Sequence, residues 1–221
     1  MPKWAKLFVG ILLLPLCVGG ARALFRVLAQ TGDALTFWVA ALGGAACWLI
    51  IFLMLPKPMW VYVFGHEFTH AVWTWLCGGR VKKFKVTSKG GHVVITKTNF
   101  LISLAPYFFP VYAVLVILLF LAGDLIWNWT PYRVWFHFLL GAAYAFHVTL
   151  TWQILQTRQT DITGEGYLFS GTVIFLGNLA VLLIGLPLLA DRPGVLTAMS
   201  WWLHASGDVL NWLARLGHRL F

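Results

Sequence analysis

The sequence has little charge, and most of that charge is of one sign. Only 10% of its 221 residues are charged and 60% are hydrophobic, whereas about a quarter of the residues in a soluble domain are charged. Seven residues are acidic, against 16 lysine and arginine residues. The three cysteines are far apart in the sequence, without the paired spacing of a disulfide framework or a thiolate metal site. This composition predicts a protein embedded in a lipid bilayer.

Long apolar segments fill most of the chain. A membrane-spanning helix needs about 20 mainly apolar residues, and the sequence contains six such segments. They are residues 7–25, 34–55, 59–77, 99–121, 132–155 and 167–190. The first resembles a signal peptide, but it is long for one and Arg22 and Arg26 follow it as a helix flank would, so we expect it to be retained. We therefore expect an all-α polytopic membrane protein with six transmembrane helices.

The net charge is +9, and the basic residues lie at the ends of these segments and in one short loop. This placement is typical of residues that set the orientation of a membrane protein, so we favour that role over nucleic-acid binding. Loop 78–98 is the most basic part of the chain, and the positive-inside rule predicts that it is cytoplasmic. Its basic residues are Arg80, Lys82, Lys83, Lys85, Lys89 and Lys97. Residues with high β propensity flank the sequence Ser88-Lys89-Gly90-Gly91, which is typical of a turn. We expect a β-hairpin over residues 80–98 at the membrane surface.

The chain divides into three predicted parts. Residues 1–58 form two N-terminal transmembrane helices, and residues 59–190 form a core with the hairpin and the remaining spans. Residues 191–221 begin with Asp191-Arg192-Pro193-Gly194 and then alternate polar and apolar residues with a helical period. The tryptophans on the wide apolar face favour an amphipathic helix lying in the membrane interface, with a seventh span as the alternative.

The third apolar segment contains His66-Glu67-Phe68-Thr69-His70. An ionisable side chain at the centre of a membrane costs about 2.5–3.5 kcal/mol on insertion scales, so three in one turn need compensation, which a bound cation supplies. His66 and His70 are four residues apart and share a helix face, so both imidazoles can bind one Zn²⁺. Glu67 beside them can take a proton from a water molecule and return it to a leaving amine. The sequence therefore predicts a zinc site, in preference to a metal-free polar cluster.

A catalytic zinc site needs a third protein ligand. The donors considered are Asp161, Glu165, His147, His137 and Asp124. Asp124 falls on the side of the membrane opposite the basic loop. Asp161 and Glu165 fall on the same side as that loop, near the end of the helix that carries His70, so topology favours these two. A polar stripe on the fifth segment indicates a hydrogen-bonded bundle interior more than a ligand set. The stripe consists of His137, Tyr144, His147 and Thr151.

These features resemble the site-2 protease family of intramembrane zinc metalloproteases over roughly residues 60–190. Gly65-His66-Glu67-Phe68-Thr69-His70-Ala71 stands in a spanning helix, and Gly78-Gly79-Arg80-Val81 leads into a basic hairpin with a Gly-Gly pair. Ser103-Leu104-Ala105-Pro106-Tyr107 opens the next helix with a small residue before a proline. Asp161 follows His70 by 91 residues, near the family's separation between the zinc motif and its aspartate ligand.

The resemblance implies regulated intramembrane proteolysis. It makes His66, His70 and Asp161 the zinc ligands, with Glu165 as the next candidate for the third position, and Glu67 the general base. The substrate would be a membrane protein whose transmembrane helix unwinds beside the site and adds to an edge of the hairpin, with the zinc site towards the cytoplasmic side. We expect no nucleic acid partner.

The aspartate loop departs from the family pattern. Gln153 replaces an asparagine, Gln156 replaces a proline, and Ile162 stands where a glycine is expected. The alternative function is therefore a catalytically inactive membrane protein of the same fold that keeps a structural or metal-handling zinc site.

Overall fold

The structure, a computed structural model, describes residues 2–87, 90–190 and 192–220, and these contain nine α-helices and one two-stranded sheet. The helices are α1 (Lys3–Thr31), α2 (Leu35–Met54), α3 (Met59–Leu76), α4 (Phe100–Leu104), α5 (Val111–Trp127), α6 (Arg133–Leu155), α7 (Thr160–Glu165), α8 (Tyr167–Ala190) and α9 (Val195–Leu220). The strands are β1 (Val81–Thr87) and β2 (Gly90–Ile95), and 3₁₀ turns cover Ala105–Tyr107 and Thr130–Tyr132. The chain is mainly helical, as its composition predicts.

Within the described residues, four helices are long and apolar enough to cross a membrane: α1, α2, α6 and α8. A fifth span results if the bent pair Phe100–Tyr107 and Val111–Trp127 is one crossing. Helix α3 is not among them, because two histidines and a glutamate interrupt its apolar sequence. The predicted count of six spans is therefore not confirmed, whereas an integral membrane protein with several apolar helices is.

The fourth predicted segment, residues 99–121, is not one continuous helix. Helix α4 and the turn that follows it meet α5 at 80°. Pro106 lies inside the 3₁₀ turn and Pro110 stands immediately before α5. A proline lacks the backbone N–H that a helix needs and its ring clashes with the preceding turn, so two prolines four residues apart break the helix here.

The described residues fall into two compact units, Leu35–Asp161 and Met1–Ala34 with Ile162–Phe221. In the first unit, α2 packs closely against α6, and α5 also packs against α6. Trp48, Tyr62 and Leu150 form the centre of a buried apolar cluster between α2, α3 and α6. The indole N–H of Trp48 donates to Thr149 Oγ1 at 2.8 Å, so the polar atom of this buried ring is satisfied.

The hairpin predicted over residues 80–98 is confirmed. Strands β1 and β2 pair antiparallel, with Phe84 opposite Val93 and Val86 opposite Gly91, while Ser88 and Lys89 of the predicted turn lie outside the described residues. The Phe84 ring meets Phe64 of α3 edge-on at 5.7 Å. One face of the hairpin therefore packs on α3, which leaves the other face exposed. The exposed residues on that other face are Lys83, Lys85, Thr87, His92 and Val94.

In the second unit, α1 packs against both α8 and α9. The indole N–H of Trp202 in α9 donates to the carbonyl oxygen of Leu16 in α1 at 2.8 Å. The predicted C-terminal helix is therefore present, although Asp191 before it lies outside the described residues. Its position in the membrane interface stays a prediction, as does the division of the sequence into three parts.

We predict that Gly44→Ala destabilises the protein, while Gly43→Ala does not. A Cβ on Gly44 of α2 would overlap the carbonyl oxygen of Phe138 in α6, so the helices would have to separate. A Cβ on Gly43 would lie 3.8 Å from the Phe138 ring, an ordinary contact. Overpacking costs about 1–3 kcal/mol, whereas replacing an unconstrained helical glycine by alanine is neutral or stabilising.

Thermal unfolding of both variants in the same detergent measures this difference. Equal melting temperatures for Gly43→Ala and Gly44→Ala would contradict the close approach of α2 and α6.

Candidate metal centre

Helix α3 brings His66 and His70 together on one face. Their ring centroids are 5.0 Å apart with an angle of 80° between the planes. The helix ends at Leu76, and Gly78, two residues later, has a φ of +74°, the left-handed conformation that suits glycine after a helix. Lys97 Nζ donates to the carbonyl oxygen of Cys77 at 2.7 Å, which satisfies one of the last carbonyls of the helix. Both histidines are thus held on a helix with a well-defined end.

Asp161 in the first turn of α7 completes a three-residue cluster. Its Oδ2 lies 3.6 Å from Nε2 of His66 and 3.6 Å from Nε2 of His70. The three possible ligand atoms all lie within 4.8 Å of one another, and no other group of this kind occurs in the described ranges. Burial acts to raise the pKa of the Asp161 carboxyl, but hydrogen bonds and charge interactions with His66 and His70 outweigh it and hold that pKa below its usual range.

A hydrogen bond to helix α4 orients His70. Its Nδ1 lies 2.7 Å from the carbonyl oxygen of Ile102, so Nδ1 carries the hydrogen and Nε2 keeps its lone pair directed at the cluster. In a continuous helix the carbonyl of Ile102 would accept from the N–H of residue 106. Residue 106 is a proline, which has no N–H, so this carbonyl is free to accept from His70.

Asn99 caps the same segment. Its side chain accepts a hydrogen bond from the backbone N–H of Ile102 at 2.9 Å, which fixes the first turn of α4. The residue that holds His70 is therefore itself held by an N-cap.

Tyr107 is a site residue that the sequence interpretation did not assign. Its hydroxyl donates to Oδ2 of Asp161 at 3.1 Å, and its ring meets that of His66 edge-on at 5.4 Å. Tyr107 is buried at the end of the 3₁₀ turn. Tyr107 belongs to the Ser-Leu-Ala-Pro-Tyr sequence, which is part of the family resemblance. That membership was the sequence feature from which its place in the site could have been predicted.

Glu67 lies next to the cluster without belonging to it. It is buried, and its Cγ lies 2.6 Å from the position that a Cβ on Gly91 would occupy. Only a glycine at position 91 lets strand β2 approach the carboxylate so closely. The side chain of Glu67 is therefore confined between its own helix backbone and strand β2.

The other candidate donors lie in different environments. Glu165 forms an ion pair with Lys6 of α1 at 2.5 Å and is not part of the three-residue cluster. Asp124 accepts a hydrogen bond from Thr130 at 2.8 Å. His137 and His147 of α6 are buried, as predicted for a bundle interior. Thr151 of α6 accepts a hydrogen bond from the hydroxyl of Tyr62 in α3 at 3.4 Å.

The residues present fit a divalent metal ion. Two imidazole nitrogens and one carboxylate oxygen form a donor set that zinc takes in catalytic sites, with one position left open. Nε2 of His70 is in the required tautomer because Nδ1 is bonded to Ile102. A cation bound by this donor set would also compensate for the partial burial of the Asp161 carboxylate.

Comparison with known proteins identifies the family of the chain. The family model described as Peptidase M50B-like matches residues 38–156, more than half of the chain, including the whole of α3 and its histidines. Asp161 lies five residues beyond the matched region. No curated protein and no solved structure matches the chain. M50 peptidases are in general zinc metalloproteases of membranes. The chain therefore belongs to the Peptidase M50B-like family, which is the site-2 protease family that its sequence resembles.

Proposed function

We propose that this protein is a zinc-dependent intramembrane endopeptidase that cleaves the transmembrane segments of other membrane proteins. The observation that carries this proposal is the convergence of His66, His70 and Asp161 beside Glu67, which lies on the same helix turn as the histidines. A site that only stored or stabilised a metal has no need for a buried carboxylate next to its ligands.

His66, His70 and Asp161 would hold the zinc ion. When bound, zinc polarises a carbonyl and lowers the pKa of a water molecule at its open position. Ile102 keeps His70 in the ligand tautomer, and the Tyr107 hydroxyl restrains the Asp161 carboxylate. These two contacts reduce the freedom of the ligands before any metal binds.

Glu67 acts as the general base and then as the general acid. Its carboxylate accepts a proton from the attacking water, and the same oxygen then gives that proton to the nitrogen of the leaving amine. Burial between α3 and Gly91 keeps the carboxylate within a narrow range of positions. Such confinement is what efficient proton transfer requires of a catalytic side chain.

The hairpin supplies a surface for an unwound substrate. A transmembrane helix must unwind before its peptide bond can be attacked, and its freed backbone groups then need partners that lipid lacks. Strands β1 and β2 form a two-stranded sheet, and each strand has an edge that a third strand could join. The basic residues around the hairpin favour placement of the site towards the cytoplasmic side.

The metal assignment predicts which variants lose zinc. Purified wild-type protein should contain about one zinc per chain, as a single three-ligand site implies. His66→Ala and Asp161→Ala should each lose most of it, because two protein ligands hold zinc weakly. Glu165→Ala is the matched control and should keep its zinc, since Glu165 is paired with Lys6.

Elemental analysis of the proteins in detergent makes the measurement. Zinc loss in Glu165→Ala combined with retention in Asp161→Ala would exchange the roles of these two carboxylates. A wild type without zinc would overturn the proposed function.

The proposed mechanism predicts that Glu67→Gln abolishes cleavage while zinc stays bound. Glutamine has nearly the same shape but cannot accept the proton, and loss of a general base typically lowers the rate by a factor of about 10² to 10⁴. Proteomics of membranes from cells that produce each variant would detect new chain ends within transmembrane segments. Those ends should appear with the wild type and disappear with Glu67→Gln.

Glu165→Gln is the control, because Glu165 is the chain's only other glutamate. It should leave the new chain ends in place. Undiminished cleavage by Glu67→Gln would rule out the assigned role, and zinc-loaded wild type without any cleavage would favour an inactive relative.

A further inference from the structure

A small cavity adjoins His66 within the unit Leu35–Asp161. Its lining includes Thr69 of α3, Tyr112 of α5 and His147 of α6. The volume of the cavity is about 10 Å³, close to the smallest space that accepts one water molecule. The cavity therefore has room for one water molecule.

Two buried nitrogens on this cavity lack hydrogen-bond partners among the described residues: Nδ1 of His66 and Nε2 of His147. Each belongs to a ring that lines the cavity, and His147 is only 7% exposed. Buried polar atoms in folded proteins are nearly always satisfied by protein or by ordered water. Two such atoms, in two rings that line one cavity of this size, favour a shared partner.

Neither of two neighbouring hydroxyls accepts directly from Nδ1 of His66, which has no hydrogen-bond partner among the described residues. Thr69 donates to the carbonyl of Gly65 at 2.7 Å, and Tyr112 donates to the carbonyl of Val61 at 2.5 Å. Both hydroxyl hydrogens are therefore already committed to backbone carbonyls. Their lone pairs stay available to a molecule in the cavity that has hydrogens to donate.

The two histidines of the candidate metal site differ in the hydrogen bond that holds the Nδ1 atom. His70 binds through Nε2 while its Nδ1 is held by the Ile102 carbonyl. If His66 also binds through Nε2, the atom near Asp161, its Nδ1 carries a hydrogen that needs an acceptor. Nε2 of a neutral His147 needs a donor. A water molecule accepts from the first and donates to the second.

We propose that one water molecule binds in this cavity between Nδ1 of His66 and Nε2 of His147, and that His147 is thereby a positioning residue for the metal site. The proposal rests on the proposed function in one respect, the binding of zinc by Nε2 of His66. The water restricts rotation of the His66 ring and fixes its tautomer, which Ile102 does directly for His70.

The test compares zinc affinity across substitutions at position 147, measured on the full-length protein in detergent by competition with a zinc chelator. His147→Phe keeps a ring of similar size but removes the nitrogen, and it should weaken zinc binding about 10- to 100-fold, the usual effect of losing an outer partner of a ligand. His147→Leu serves the same purpose if the phenylalanine variant does not fold. His147→Gln restores an acceptor and should bind zinc much more tightly than His147→Phe.

His137→Phe is the matched control, since it also removes a buried histidine from α6 but its ring packs on Phe37, 5.1 Å away. It should leave zinc affinity unchanged. Wild-type affinity in His147→Phe and His147→Leu would overturn the proposal, and so would a glutamine variant as weak as the phenylalanine one. Those results would leave the proposed function intact, whereas a wild type that binds no zinc would overturn both.

Discussion

The hydrogen bond from Nδ1 of His70 to the carbonyl of Ile102 links the fold to the site. That carbonyl is available because the residue four positions later is Pro106, which has no N–H to offer it. In lipid a free backbone carbonyl would be costly, and a buried imidazole without a partner would be costly as well. Each group satisfies the other, so the helix break is stable only together with an oriented His70.

The same break also determines the surroundings of the carboxylate. Because the chain turns after α4, Tyr107 at the end of the turn reaches Asp161, and its ring packs against His66. A carboxylate in this position then has two imidazoles and a phenol around one oxygen. The segment around the break thus contributes both an acceptor, the Ile102 carbonyl, and a donor, the Tyr107 hydroxyl.

Sequence reasoning succeeded where the signal is local. The spacing of His66 and His70 fixes their shared helix face, and the Gly-Gly turn between β-forming residues predicts the hairpin. Hydropathy alone predicted one helix over residues 99–121, because an average over many residues hides the effect of two prolines on the helix. The Lys6–Glu165 pair joins residues 159 positions apart, so no local pattern could have revealed it. Topology limited the favoured third ligands to Asp161 and Glu165, and only the resemblance to a family pattern favoured Asp161, because proximity across 91 residues follows from the fold.

The close approach of Gly91 to Glu67 connects the proposed general base with the hairpin. Gly91 lies in β2 opposite Val86, and the space that a side chain would need there is filled by the Glu67 methylene groups. The strand that restricts the carboxylate is therefore part of the sheet to which a substrate strand could add. A backbone added to that sheet in a single register would lie at a defined distance from Glu67. In the proposed function, one glycine would thus join the positioning of the base to the positioning of the bond to be cleaved.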